Sequence, residues 1–257
     1  MASRIRIVIL CVLLIIVCHL FPQVRHAESD VADRFDKRPA VDILFIGNSR
    51  TFFHDMPFMV RKIADSAHSP RKYRIAMHAP GGVRLQDHWF SPKVQELLQR
   101  KWDYVVLQGR SNEQLYPSLN SSFETYGKKL ADAIEAGGAV PVLFVTWRYA
   151  DDDPLFKSMP ELKDKLHGQI QEGYSDLAKA TGAQMVNVGR VWEKLRVSAP
   201  QMPLYYDTNH PSIYGSYLCA LMFYRFFSGD DLANVTYVPA GISPEYAALL
   251  KTAAQSW

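Results

Sequence analysis

Cysteine is scarce in this chain. There are three in 257 residues, and two of them, Cys11 and Cys18, lie inside one N-terminal apolar run. With Cys219 alone left in the folded part, no intramolecular disulfide is expected there, and without a Cys/His cluster neither is a structural zinc site. Stability has to come from the core. An apolar run of membrane-spanning length is missing too: Ile7–Cys18 (IVILCVLLIIVC) is closed by His19 and Pro22, short of the roughly 20 residues that a spanning helix needs. No basic stripe with interleaved aromatics appears, which argues against a nucleic-acid partner. The acidic run Asp151-Asp152-Asp153-Pro154 lacks the ligand spacing and glycine of an EF-hand loop and reads as a solvated loop. No metal site is expected.

What is present begins at the N-terminus. Arg4 and Arg6 precede the apolar run, and a polar segment follows it, the layout of a secretory signal peptide over residues 1–27. Ala27 is a possible cleavage point, although Arg25 fits a small-x-small site poorly. The alternative is an uncleaved N-terminal anchor. A lipoprotein signal at Cys18 is disfavoured by Val17, which stands where a small residue is needed. The expected location is outside the cytosol, secreted or in the periplasm or cell envelope, or else membrane-anchored through this segment. Arg4, Arg6 and Arg25 account for three of the 29 basic residues, and none of the 26 acidic ones lies in that stretch, so the formal charge of +3 belongs to it and the rest is neutral on balance. Residues 28–40 are polar and charged and read as a linker. Residues 41–257 form the domain, in a chain that is 48% hydrophobic and 21% charged, as soluble globular proteins are.

From Val41 on, short β-rich runs alternate with longer helical patterns. The expected strands are Asp42–Ile46, Tyr73–Met77, Tyr104–Leu107, Val140–Val145 and Met185–Val188. Helical periodicity falls at Met56–Ala67 and at about 91–100, 120–136, 160–181, 213–227 and 244–255. Strands that are apolar throughout need cover on both faces. The expected fold class is therefore α/β: a single three-layer α/β/α domain with a parallel, flavodoxin-like sheet of about five strands. In such sheets ligands bind beyond the carboxyl ends of the strands. Gly47-Asn48-Ser49, Pro80-Gly81-Gly82 and Gln108–Asn112 each follow a strand, and Asp207-Thr208-Asn209-His210 precedes the penultimate helix.

These segments hold residues suited to acyl transfer. Ser49 stands at a strand-to-helix turn, where a hydroxyl becomes a nucleophile if a base takes its proton. The competing role at that turn is helix capping by Asn48 or Ser49. His210 can be the base, and Asp207, three residues away, can hold its imidazole in the right tautomer. The rival reading makes Asp207 a turn residue and His210 a surface residue. Gly81 and Gly82 can bring backbone N–H groups close to a developing oxyanion, or can simply form a turn after Pro80. Gln108 or Asn112 can add a side-chain amide. Two different classes stay in view, an enzyme and a binding domain; a flavodoxin-like nucleotide binder is disfavoured, since no phosphate loop of the right glycine spacing follows the first strand.

In three blocks the chain resembles the SGNH (GDSL-like) hydrolases: ILFIGNSRTFF, with Asn48 where the GDS form has aspartate; APGGVRLQDHW; and YDTNHPSIYGSYL, which matches the family's D-x-x-H block. The blocks span residues 43–218 in the family's order. The resemblance implies a serine ester hydrolase without metal or organic cofactor, with Ser49, His210 and Asp207 as catalytic residues. It implies an oxyanion hole from the N–H groups of Ser49, Gly81 and Gly82 and an amide side chain. The third block departs from the usual G-x-N-D, reading Leu107-Gln108-Gly109-Arg110-Ser111-Asn112-Glu113. Gln108 is the first choice for the side-chain donor and Asn112 the alternative. The substrate implied is an acyl ester, acetyl on carbohydrate being the favoured form for an exported enzyme. Alternatives are a lipase or thioesterase of the same type, and a catalytically idle carbohydrate-binding domain.

Other polar and aromatic residues have duller roles open to them. His54 and His88 fall near the expected site and can line a pocket, whereas His78 reads as a packed or capping residue. Trp89 and Trp147 can form a sugar-binding surface, but packing is the expected role. Asn120-Ser121-Ser122 and Asn234-Val235-Thr236 match glycosylation acceptors.

Overall fold

Alternate residues of a strand point to opposite faces, and in this protein both sets are apolar. In the computed structural model, which describes residues 36–257, the first strand β1 (Ala40–Ile46) sends Ile43 and Phe45 into one core and Leu44 and Ile46 into the other. All four are fully buried. The same division holds in β3 (Tyr104–Leu107) and β4 (Val140–Val145). With β2 (Lys72–His78) and β5 (Gln184–Asn187) they form one five-stranded sheet in the order β2-β1-β3-β4-β5, every pair parallel. This is the expected three-layer α/β/α domain with flavodoxin-like strand order.

One face is covered by α2 (Met56–Ser66), α8 (Val188–Ser198), α9 (Ile213–Ser228) and α10 (Pro244–Gln255). The other is covered by α3 (Leu85–Trp89), α4 (Pro92–Leu98), α5 (Pro117–Ala136), α6 (Pro154–Ser158) and α7 (Leu162–Thr181). α9 is apolar on nearly every side and is buried along most of its length, the pattern of a central helix. Truncating one of its buried side chains, such as Leu221→Ala, should cost about 2–5 kcal/mol.

Among the described residues, four helices have no counterpart in the periodicity: α1 (Ser49–Phe52), α3, α6 and α8. Three of them are single turns, too short to repeat an apolar spacing. In the case of α8 the predicted fifth strand ran one residue too far. Asn187 caps the helix by accepting from Arg190 N–H at 3.0 Å, so Val188 opens α8. Asp151-Asp152-Asp153 is likewise more than a solvated loop: Asp151 pairs with Arg148 and Arg196, and Asp153 caps α6. The expected signal or anchor at residues 1–27, and the linker as far as residue 35, lie outside the described residues.

Candidate active site

The strand order changes direction between β1 and β3, and a crevice opens beyond the strand ends at such a point. Ile46 pairs with Leu107 in the register, and the chain stays paired one residue further: Gln108 N–H donates to Ile46 O at 2.9 Å and Gly47 N–H to His78 O at 3.2 Å. Gly47 is needed there. A Cβ on it would stand 2.3 Å from Thr51 Oγ1 and 2.8 Å from Gln108 Oε1. The chain then turns into α1, where Asn48 Oδ1 accepts from Arg50 N–H at 3.3 Å. Asn48 is therefore the cap, and the hydroxyl of Ser49, the first helical residue, is left for another partner.

That partner is His210. Its Nε2 lies 2.9 Å from Ser49 Oγ, and its Nδ1 lies 2.7 Å from Asp207 Oδ2. A carboxylate can only accept, so Nδ1–H donates to Asp207 and Nε2 accepts from the serine hydroxyl. The other carboxylate oxygen accepts from the N–H groups of Asn209 and His210 at 2.7 and 2.6 Å. Partial burial works to raise the Asp207 pKa, but these hydrogen bonds outweigh it and hold the carboxyl below its ordinary value. The ring of His210 is stacked on Phe53, centroids 4.5 Å apart and planes within 5°. Phe53 is held there by a left-handed pair, His54 (φ 55°) and Asp55 (φ 51°), an unfavourable conformation for residues with a Cβ. His54 Nδ1, 2.9 Å from Ser216 Oγ, ties the turn to α9.

The strand-end glutamine does not point outward as expected. Gln108 is fully buried, and its Oε1 accepts from Asn48 N–H and from Thr51 Oγ–H, each at 2.9 Å. That fixes the amide orientation, and Nε2 donates back to Gly109 O. Gln108, the first choice for the side-chain oxyanion donor, thus has its Oε1 and one hydrogen of its Nε2 engaged inside the protein. Asn112 is half-buried, and its Oδ1 accepts from Arg110 Nε at 2.7 Å, leaving its NH2 group on the other side. Arg110 also reaches Gly82 O at 3.3 Å. Gly82, with φ +74°, and Gly81 form an exposed turn beyond β2. The turn is fastened to the serine segment by Asn48 Nδ2, which donates to Val83 O at 3.0 Å.

His88 does not line a pocket. It is buried and donates from Nε2 to Gly47 O at 2.8 Å, and burial pushes its pKa down to about 4. His78 packs against it. Trp147 is buried and Trp89 packs on the core, as expected of them. Aromatics that do reach the site, Phe53 and the 71% exposed Tyr206, stand 5.9 Å apart beside His210. Sequence reasoning missed them, and it missed Arg50, which is buried next to the serine. Among the described residues no group of His, Cys, Asp or Glu is arranged to hold a metal ion.

No protein-family model matches the chain, and no curated protein matches it significantly. Solved structures do. A protein from Slackia heliotrinireducens described as a candidate SGNH hydrolase is 27% identical with a TM-score of 0.63, over 73% of this chain and 99% of that one. A DUF4886 family protein from Bacteroides uniformis is 18% identical with a TM-score of 0.73, over 84% and 94%. An acetylxylan esterase from Geobacillus stearothermophilus is 15% identical with a TM-score of 0.53, over 79% and 98%. The chain thus has the fold of a superfamily of esterases and related hydrolases.

Proposed function

We propose that this protein is an SGNH-type serine esterase that removes acyl groups, acetyl above all, from a carbohydrate ester outside the cytosol. The observation that carries the reading is the hydrogen-bonded line from Ser49 Oγ through His210 to Asp207 at the sheet's switch point. His210 Nε2 takes the hydroxyl proton as Ser49 Oγ attacks the ester carbonyl, and the C–O bond to the alcohol breaks as His210 returns that proton to the leaving oxygen. Water, deprotonated by His210, then releases the acid from the acyl-serine. Asp207 keeps the imidazole in the working tautomer and stabilises its charged form.

The developing oxyanion falls to the N–H of Ser49, free of an intrahelical acceptor at the first position of α1, to the N–H groups of Gly81 and Gly82, and to the Asn112 amide. Each positioned donor of this kind is worth roughly 2.7–4 kcal/mol of barrier. The carbohydrate reading is supported by the exposed Tyr206 beside Phe53, a surface on which a sugar ring can lie, and by the acetylxylan esterase of like fold. Export is supported by the basic, then apolar, N-terminal sequence.

A hydrolysis panel tests the proposal: acetylated xylo- and gluco-oligosaccharides, p-nitrophenyl esters of rising chain length, and phospholipids. Acetyl sugars should give the highest kcat/KM, with p-nitrophenyl acetate ahead of longer chains. A preference for long acyl chains or phospholipid would replace this reading with the lipase one. Binding to oligosaccharide without hydrolysis of any ester would leave a carbohydrate-binding domain.

A further inference from the structure

Arg50 follows the proposed nucleophile in the chain and is 1% exposed. Burying a guanidinium is costly unless its charge is paired, yet among the described residues the hydrogen-bond partners of Arg50 are all neutral oxygens. Nε and Nη2 converge on Asn209 Oδ1 at 3.1 and 2.7 Å, while Nη1 donates to Thr146 Oγ1 at 3.0 Å and to Trp147 O. The rings of Trp147 and Tyr149 lie 5.0 and 5.5 Å from the guanidinium carbon, so part of the lost hydration is replaced by aromatic faces. Such an arrangement is an expensive way to fill space.

Its partner Asn209 is tied at three points. Besides accepting from Arg50, it gives its N–H to Asp207 Oδ1 at 2.7 Å, and its carbonyl accepts from Trp147 Nε1 at 3.1 Å. The bonds then close on themselves. Ser49 Oγ meets His210, His210 meets Asp207, Asp207 meets the Asn209 amide, Asn209 meets Arg50, and Arg50 is joined to Ser49 by a peptide bond.

Resting on the serine-esterase reading, we infer that Arg50 is a positioning residue: through Asn209 it holds the 207–210 loop in register with the nucleophile. The fork geometry explains the residue type. Guanidinium donors reach Asn209 on one side and the β4 end, Thr146 and Trp147, on the other, which the point charge of a lysine cannot do. The clamp fixes the separation of Ser49 Oγ and His210 Nε2, on which proton transfer depends.

The test is steady-state hydrolysis of p-nitrophenyl acetate by the full chain and its Asn209→Ala, Asn209→Asp, Arg50→Lys and Ser49→Ala variants, with folding checked by thermal melting. Asn209 is half-buried, so Asn209→Ala should fold. It should lose about 10²-fold in kcat, the cost of a misplaced catalytic group, with KM little changed. Asn209→Asp keeps an oxygen facing Arg50 and should recover most of the loss. Arg50→Lys should resemble Asn209→Ala; because a buried arginine can also be needed for folding, the Asn209 pair decides. Wild-type kcat in Asn209→Ala, or an equal loss in Asn209→Asp, overturns the clamp while Ser49→Ala remains dead. Hydrolysis that survives Ser49→Ala overturns the catalytic reading instead.

Discussion

Two loops beyond the carboxyl ends of the strands each carry a carboxylate, and they treat it in opposite ways. In the 205–211 loop, Asp207 has a side chain 46% exposed, yet it accepts two backbone N–H groups and the His210 ring, and its pKa is held below the ordinary value. In the segment after β3, Glu113 is fully buried. Its Oε2 accepts from Arg110 N–H, while its Oε1 has no hydrogen-bonding partner among the described residues, and burial pushes its pKa up to about 7. The number of donors aimed at a carboxylate, set against its desolvation, decides its charge at neutral pH. The carboxylate that stays charged is the one facing a histidine.

The largest effect expected from breaking this contrast is in the first loop. Asp207→Asn should lower kcat roughly 10²–10⁴-fold with KM little changed, since an amide can offer Nδ1 the wrong group and does not stabilise the imidazolium. Full activity across pH 6–9 would remove Asp207 from the mechanism.

Next in size is the comparison of the two amides after β3. Asn112→Ala should cost about 10²-fold in kcat on an activated ester if its NH2 serves the oxyanion. Gln108→Ala should act chiefly on folding: it strips the acceptor from Asn48 N–H and Thr51 Oγ–H, an unmet burial worth roughly 1–3 kcal/mol each. Paired melting curves and kcat values separate the two. An unchanged melting temperature with a large kcat loss in Gln108→Ala would return Gln108 to the oxyanion hole.

The smallest effect is thermodynamic. Between pH 4.5 and about 7, folded Glu113 keeps a proton that the unfolded chain has released, so its contribution to stability falls as pH rises through that window and stays lost above it. Glu113→Gln keeps an acceptor for Arg110 N–H and should be more stable than wild type at pH 8 by roughly 1–3 kcal/mol. His88 runs the other way. Its folded pKa of about 4 lies below the ordinary 6.5, so stability rises with pH between those values. Removing the Glu113 carboxyl should therefore leave a steeper rise in stability from pH 4 to 6.5, read from urea midpoints. No change in the profile would mean that Glu113 is ionised in the folded protein at neutral pH.

The sheet could be read from sequence because each strand is a continuous apolar run, and strand-helix alternation then leaves few architectures. The meeting of the Ser49, Asp207 and His210 side chains was legible for a related reason: local spacing carries the Asp–His contact, and the strand end fixes the serine turn. Orientation was not legible. Gln108 at a strand end can point over the edge or inward, and the choice is made by Asn48 N–H and Thr51, which reach it from β1 and α1. Arg50 gave no signal, since an arginine after a helix cap is ordinarily at the surface. The same holds for the aromatics. Nothing in the local sequence separates the buried Trp147 from the exposed Tyr206, because the difference is made by α8, whose Trp192 stacks on Trp147 at 3.8 Å.

The central claim is that Ser49 is the nucleophile, and covalent capture addresses it most directly. Purified protein treated with a fluorophosphonate probe, digested and mapped by mass spectrometry, should carry one adduct on Ser49, with labelling abolished in Ser49→Ala and slowed in His210→Ala. Labelling that persists unchanged in Ser49→Ala, or ester hydrolysis by a protein that never acquires the Ser49 adduct, would contradict it.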